Sequence, residues 1–167
     1  VIASLYLPYP SIPHGGGPWP FIIESFGGKA AWQPLISHLE EIGEVARQRA
    51  KALLVVSAHW EEPVPTVHFG EAPGMLYDYY GFPPETYKLH WPAPGSPEVA
   101  RRVDELLRGA GFTTGREEKR GYDHGTFVPM MVALPEAKIP IAQLSLVAGL
   151  DPATHLAIGR ALGPLRD

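Results

Sequence analysis

The 167-residue sequence contains no cysteine. That excludes disulfides, thiolate metal centres and cysteine nucleophiles, restricts any metal ligands to His, Asp or Glu, and leans towards the cytoplasm. No run of about 18 apolar residues is present, so no segment reads as a membrane span, and the tripartite start of a secretory signal is missing. Positive charge is not in surplus either. At a formal net charge of −4, neither nucleic acid nor an anionic membrane is an expected partner. There is no internal repeat. With 45% hydrophobic and 19% charged residues, disorder is excluded and one domain with a sizeable core is expected.

Proline and glycine are plentiful, at 19 and 18 residues. Without periodicity they read as long structured loops around a compact core, where sites are usually built. The chain opens on IASLYLPYP, a strand-like run, and passes into the loop SIPHGGGPWP. Residues 29–50 read as an amphipathic helix with Leu35, Leu39, Ile42 and Ala46 on one face. ALLVVS follows as a continuously apolar strand, ending at Ser57, Ala58, His59 and Trp60. An aromatic loop, GMLYDYYGFPPETYKLHWPAPG, leads to a helix with Ser96 as N-cap and Pro97 at its first position. Then come a polar, hairpin-like TTGREEKRG, the motif YDHGTFVPM, a strand in IPIAQLSLV, and a helix opened by Asp151 and Pro152.

Strands alternating with helices predict an α/β fold: a central, mostly parallel or mixed sheet with helices on both faces and its ligand site at the C-terminal edge of the strands. Val1 is not a methionine, and Asp167 follows directly on a helical segment. Residues 1–167 therefore read as a single catalytic domain, the N-terminal part of a longer one truncated at both ends.

Seven histidines are present. His38 sits near the polar side of its helix, His68 follows Thr66 and Val67 in an edge strand, and His155 lies in the first turn of the last helix. The first two read as solvated, the third as neutral and structural. His14, His59 and His124 differ. His14 precedes three glycines, His59 lies at a strand tip beside Trp60, and His124 follows Asp123, which can orient an imidazole. Two histidines plus an oxygen donor or third histidine suit Fe(II) or Zn(II), and a histidine outside the metal shell suits acid–base work. The aromatic loop, with Tyr80 at its centre, is either core or a wall for a flat aromatic substrate, with Trp60 as a second wall.

Five motifs occur in order: IPHGGGP at 12–18, VVSAHW at 55–60, YDYYGFPPETY at 77–87, PAPG at 92–95 and YDHGTFVPM at 122–130. Together they resemble the 4,5-DOPA dioxygenase-like branch of the class III extradiol ring-cleavage dioxygenases, the superfamily of the protocatechuate 4,5-dioxygenase catalytic subunit. The resemblance implies an α/β fold and a non-haem metal site that opens a catechol ring with O2. It implies His14 and His59 as metal ligands, His124 as the catalytic group, and Trp60, Tyr80 and Asp123 as substrate contacts. Fe(II) is the implied cofactor for activity, with Zn(II) as the other metal found in such sites. The family's later ligand and its main acid–base histidine have no counterpart in these residues; Glu24, Glu61 and Asp123 are the substitutes available. Two other readings stand beside this one: a zinc-dependent hydrolase, and a non-catalytic binding module on the same fold.

Overall fold

The computed structural model describes residues 11–13 and 15–166. The expected first strand and His14 lie outside the described residues. Within them lie four α-helices and four strands. Helix α1 (Gly28–Arg49) leads to strand β1 (Leu53–Glu62) and β2 (Thr66–His68). Helix α2 (Pro97–Gly109), strand β3 (Gly115–Glu117), helix α3 (His124–Ala133), strand β4 (Ile141–Val147) and helix α4 (Pro152–Ala161) follow.

The sheet order is β1-β4-β2-β3, with β1 parallel to β4, β4 antiparallel to β2, and β2 parallel to β3. It is the mixed α/β sheet expected. One face carries Leu53, Val55 and Ile141 against Leu39 and Ala46 of α1 and Phe127, Val128 and Met130 of α3. The other packs Leu54, Val67, Ala142 and Leu144 on Ala100, Val103 and Leu107 of α2 and Ile158 of α4. Both faces of β4 are buried over most of its length, so Gln143 and Ser145 are buried along with its apolar residues.

The helix ends follow their local chemistry. Ser96 accepts the Val99 N–H at the start of α2, and Asp151 accepts the Thr154 N–H at the start of α4, each followed by proline. His155 meets the Asp151 carbonyl through Nδ1, while its Nε2 accepts the Val147 N–H, so it ties α4 to β4 as a structural residue.

Two expectations are corrected. The segment read as hairpin-like is β3, a parallel edge strand, because α2 returns the chain in the same direction as β2. His68 is not solvated on an edge: β2 lies between β4 and β3, and the side chain is only 1% exposed. Gln143, its partner across the β2–β4 pair, is equally buried, and among the described residues neither side chain completes a hydrogen bond. Burial pushes the His68 pKa below its ordinary 6.5, outweighing the opposing pull of Glu117, the Arg120 main chain and Glu118, while the Arg120 charge adds to the lowering. The unfolded chain then binds this proton more readily than the fold does. Stability from this group is complete above about pH 6.5 and is lost as pH falls through the lowered value. Unfolding free energy from urea titrations is therefore expected to drop between about pH 7 and about pH 5, and to drop less in a His68→Leu chain. Equal drops would show that the buried ring does not carry the effect.

No helix among the described residues is long and apolar enough to cross a membrane.

Candidate metal and proton-transfer site

The site begins as an interruption of β1. The strand does not end at Ser57, as its sequence suggested, but continues to Glu62 through an irregularity. Between paired positions, β1 runs from Val56 to Glu61 while β4 advances only from Leu144 to Leu146. The surplus residues leave the ladder, and His59 is among them. Such bulges re-aim side chains without unravelling the sheet.

His124 arrives from the other side as the first residue of α3. Asp123 caps that helix, its Oδ1 accepting the Thr126 N–H at 3.0 Å. The imidazoles of His59 and His124 stand 4.2 Å apart between ring centroids. Gly125 makes this approach possible, since a Cβ there would lie 2.5 Å from Cδ2 of His59. The glycine of the DHG motif is thus a cradle for the His59 ring.

The third member is Asp78. The aromatic loop reaches α3 through main-chain bonds from Leu76 N to Tyr122 O and from Tyr122 N to Gly74 O, each 2.8 Å. These set Asp78 Oδ1 where it accepts both the His124 N–H (2.8 Å) and a proton from His124 Nδ1 (2.7 Å). Its Oδ2 lies 3.7 Å from His59 Nδ1. Burial pushes the Asp78 pKa up, but the hydrogen bonds and charge of His124 more than offset this, and the carboxyl is held below the usual carboxylate range. An ionised Asp78 assigns the Nδ1–H tautomer to His124 and turns Nε2 into the nitrogen that can accept a proton or ligate.

Donor atoms of His59, Asp78 and His124 all fall within 4.8 Å of one another. Two imidazoles and a carboxylate are a donor set suited to Fe(II) or Zn(II).

The other expected residues fall at different depths. Trp60 is 3% exposed, and its Nε1 donates to Glu62. Tyr80, expected to wall a pocket, is 91% exposed. It is the neighbouring Tyr79 that stands against His124, edge-on at 5.7 Å, with its hydroxyl bonded to the Thr86 carbonyl and burial pushing its pKa up to about 12. Tyr77, Tyr79, Tyr87 and Phe127 pack on one another, so most of the aromatic loop belongs to the core. Asp123, expected to touch substrate, is fully buried beneath the histidines and accepts from Ser57, Thr126 and Arg120. Of the expected metal ligands, His59 is in the cluster and His14 lies outside the described residues. Its neighbour Gly15 has φ +72° and leaves room for the buried indole of Trp19, which stacks on Trp32 at 4.5 Å. Asp78 was missed as a site residue. Its one signal was its place inside YDYYGF, and its partner His124 is 46 residues away.

A second concavity, of about 780 Å³, lies between β4 and α4 and is lined by Val56, Leu144, Leu146, Leu156 and Ile158. It is apolar, and both nitrogens of His155, which also lines it, are already engaged. The chemistry-bearing groups are on the other face.

Residues 13–167 match the family described as the catalytic LigB subunit of aromatic ring-opening dioxygenase. The chain is similar to dioxygenase tasH of Hapsidospora irregularis, with 41% identity over 162 residues, 95% of this chain and 50% of the relative. It is 45% identical over 125 residues to 4,5-DOPA dioxygenase extradiol of Beta vulgaris, covering 74% of this chain and 47% of that one. The Escherichia coli K12 protein of the same name is 41% identical over 119 residues, 71% of this chain and 44% of the relative. The chain spans about half the length of these relatives. Among solved structures, an uncharacterized protein from Escherichia coli K12 superposes with a TM-score of 0.60 at 33% identity, over 77% of this chain and 48% of that one. The match takes in β1, the aromatic loop and α3, and the chain therefore belongs to the LigB family of class III extradiol aromatic ring-opening dioxygenases, in its 4,5-DOPA dioxygenase extradiol-like branch.

Proposed function

We propose that this chain carries part of the active site of a metal-dependent dioxygenase that opens a catechol ring beside its two hydroxyls, adding both atoms of O2. The observation that carries the reading is the pair of imidazoles 4.2 Å apart, one of them hydrogen-bonded to an ionised carboxylate. His59 would hold the metal together with His14. Fe(II) bound there would supply open positions for catecholate oxygens and O2 and the capacity to move electrons from ring to oxygen, which Zn(II) does not.

The remaining work falls to the protein. Asp78 fixes the His124 ring through Nδ1, so Nε2 can take a proton from a catechol hydroxyl and later return it. Tyr79 presents a ring edge to His124 and closes that side of the site with apolar surface. Its raised pKa keeps the hydroxyl a neutral donor to Thr86, not a competing base.

The test is oxygen uptake after anaerobic Fe(II) loading, on adding a panel of catechols while absorbance is followed. One O2 consumed per ring, with a yellow ring-opened product, is the expected result. Silence across the panel with iron demonstrably bound would overturn the proposal. Hydrolysis restored by zinc alone would replace it with the hydrolase reading.

A further inference from the structure

We infer that Arg120 is a positioning residue, which with Ser57 and Asp123 forms a buried clamp that sets the spacing of His59 and His124. The inference rests on the reading of those two histidines as the site. Both main-chain polar groups of His59 are held by this network: its N–H donates to Ser57 Oγ at 3.1 Å, and its carbonyl accepts from Arg120 Nη2 at 3.2 Å. Ser57 Oγ in turn donates to Asp123 Oδ1 at 2.8 Å, and Arg120 Nη2 donates to Asp123 Oδ2 at 3.0 Å. The ring of bonds closes on Asp123, a carboxylate with 0% exposure that also caps the helix beginning at His124.

Two elements distant in sequence are thereby locked together by one buried anion. The irregular segment of β1 breaks register with β4 around His59. The clamp holds the main chain there. Arg120 is itself held: Glu117 Oε1 accepts the N–H groups of Glu118, Lys119 and Arg120 at 2.8, 2.6 and 3.1 Å, shaping the turn that presents it. Its guanidinium also lies 5.2 Å from the centroid of the Trp60 ring, a contact that limits its sway. With the Arg120 side chain 19% exposed against a fully buried Asp123, the pair contributes little net stability, and it serves here to fix a geometry.

The test uses Arg120→Met, which keeps the apolar stem over Trp60 but removes both donors, and Ser57→Ala, which deletes a single oxygen. Zn(II) affinity of the metal-free protein is read by competition with a chromophoric chelator, independently of turnover. Groups that orient metal-binding histidines typically change affinity by roughly 10- to 100-fold, and each variant is expected to weaken binding by that factor. Because the bonds form one closed ring, the double variant should lose less than the product of the two single losses. Affinities within about threefold of the parent in folded variants, or strictly multiplicative losses, would overturn the clamp. Ser57→Ala keeps the test decisive if Arg120→Met unfolds the chain by leaving Asp123 buried and unpaired. If the parent binds no zinc, the metal reading itself fails, and the clamp is judged by imidazole NMR signals. Shifts of both His59 and His124 in each variant, with the exposed His38 and His90 unmoved, would support it; a shift of His59 alone would overturn it.

Discussion

His59→Ala protein is expected to lose metal binding by at least about a hundredfold and to show no oxygen uptake above background, since on the proposed reading it removes a ligand and not merely a group that orients one. The contrast with Asp78→Asn makes the result specific. If Asp78 orients His124, its amide variant should still bind metal close to the parent level, because His14 and His59 remain. Turnover should then fall by roughly 10- to 100-fold, because a neutral amide no longer favours the proton on Nδ1. Direct ligation gives the opposite pattern. Donor atoms of His59, Asp78 and His124 lie close enough to share an ion, and in that case Asp78→Asn should lose metal as His59→Ala does. Metal content and initial rates measured on the same preparations separate the two. His59→Ala protein with full metal occupancy would remove His59 from the metal shell altogether.

The second large effect concerns the fold. Gly43 lies on the buried face of α1, and a Cβ there would sit 1.8 Å from the Ala133 carbonyl oxygen at the end of α3. The obstacle is backbone, so it cannot swing aside as a side chain would. Arg47 of α1 also donates to that same carbonyl at 3.0 Å. Gly43→Ala gains about 1 kcal/mol of helix propensity. It must nevertheless push the helices apart and weaken a charged hydrogen bond, and the net expectation is a loss of about 3 kcal/mol. A clear fall in the urea unfolding midpoint at unchanged slope is the predicted reading. An unchanged or raised midpoint would show that α1 can slide on α3 at little cost. The same variant should disturb the site, since α3 begins at His124.

Much of this was legible because local rules governed it. Ser96 and Asp151 cap helices as their positions before proline suggested, and the apolar spacing of α1 placed Leu39, Ile42 and Ala46 inward. The SAHW and YDHG motifs singled out two histidines that the fold brings together. His68 misled for a physical reason. A three-residue strand carries too little pattern to reveal its neighbours, and burial depends on β3 closing over it by parallel pairing after α2. Tyr79 and Tyr80 are adjacent in an aromatic loop, and only the packing of that loop on α3 decides that one is buried and the other in water.

By itself the sequence determined the α/β class, the starts of α1, α2 and α4, the absence of thiol chemistry and the family, because composition, caps, periodicity and motif order are properties of the chain read locally; it did not reveal α3 as a helix. Tertiary structure decided which groups act together. Asp78 reaches His124 across 46 residues through the main-chain bonds to Tyr122, and Asp123 is a buried link between β1 and α3. Hydrogen bonds between side chains distant along the chain leave no periodicity in it, and the site is made almost entirely of such bonds.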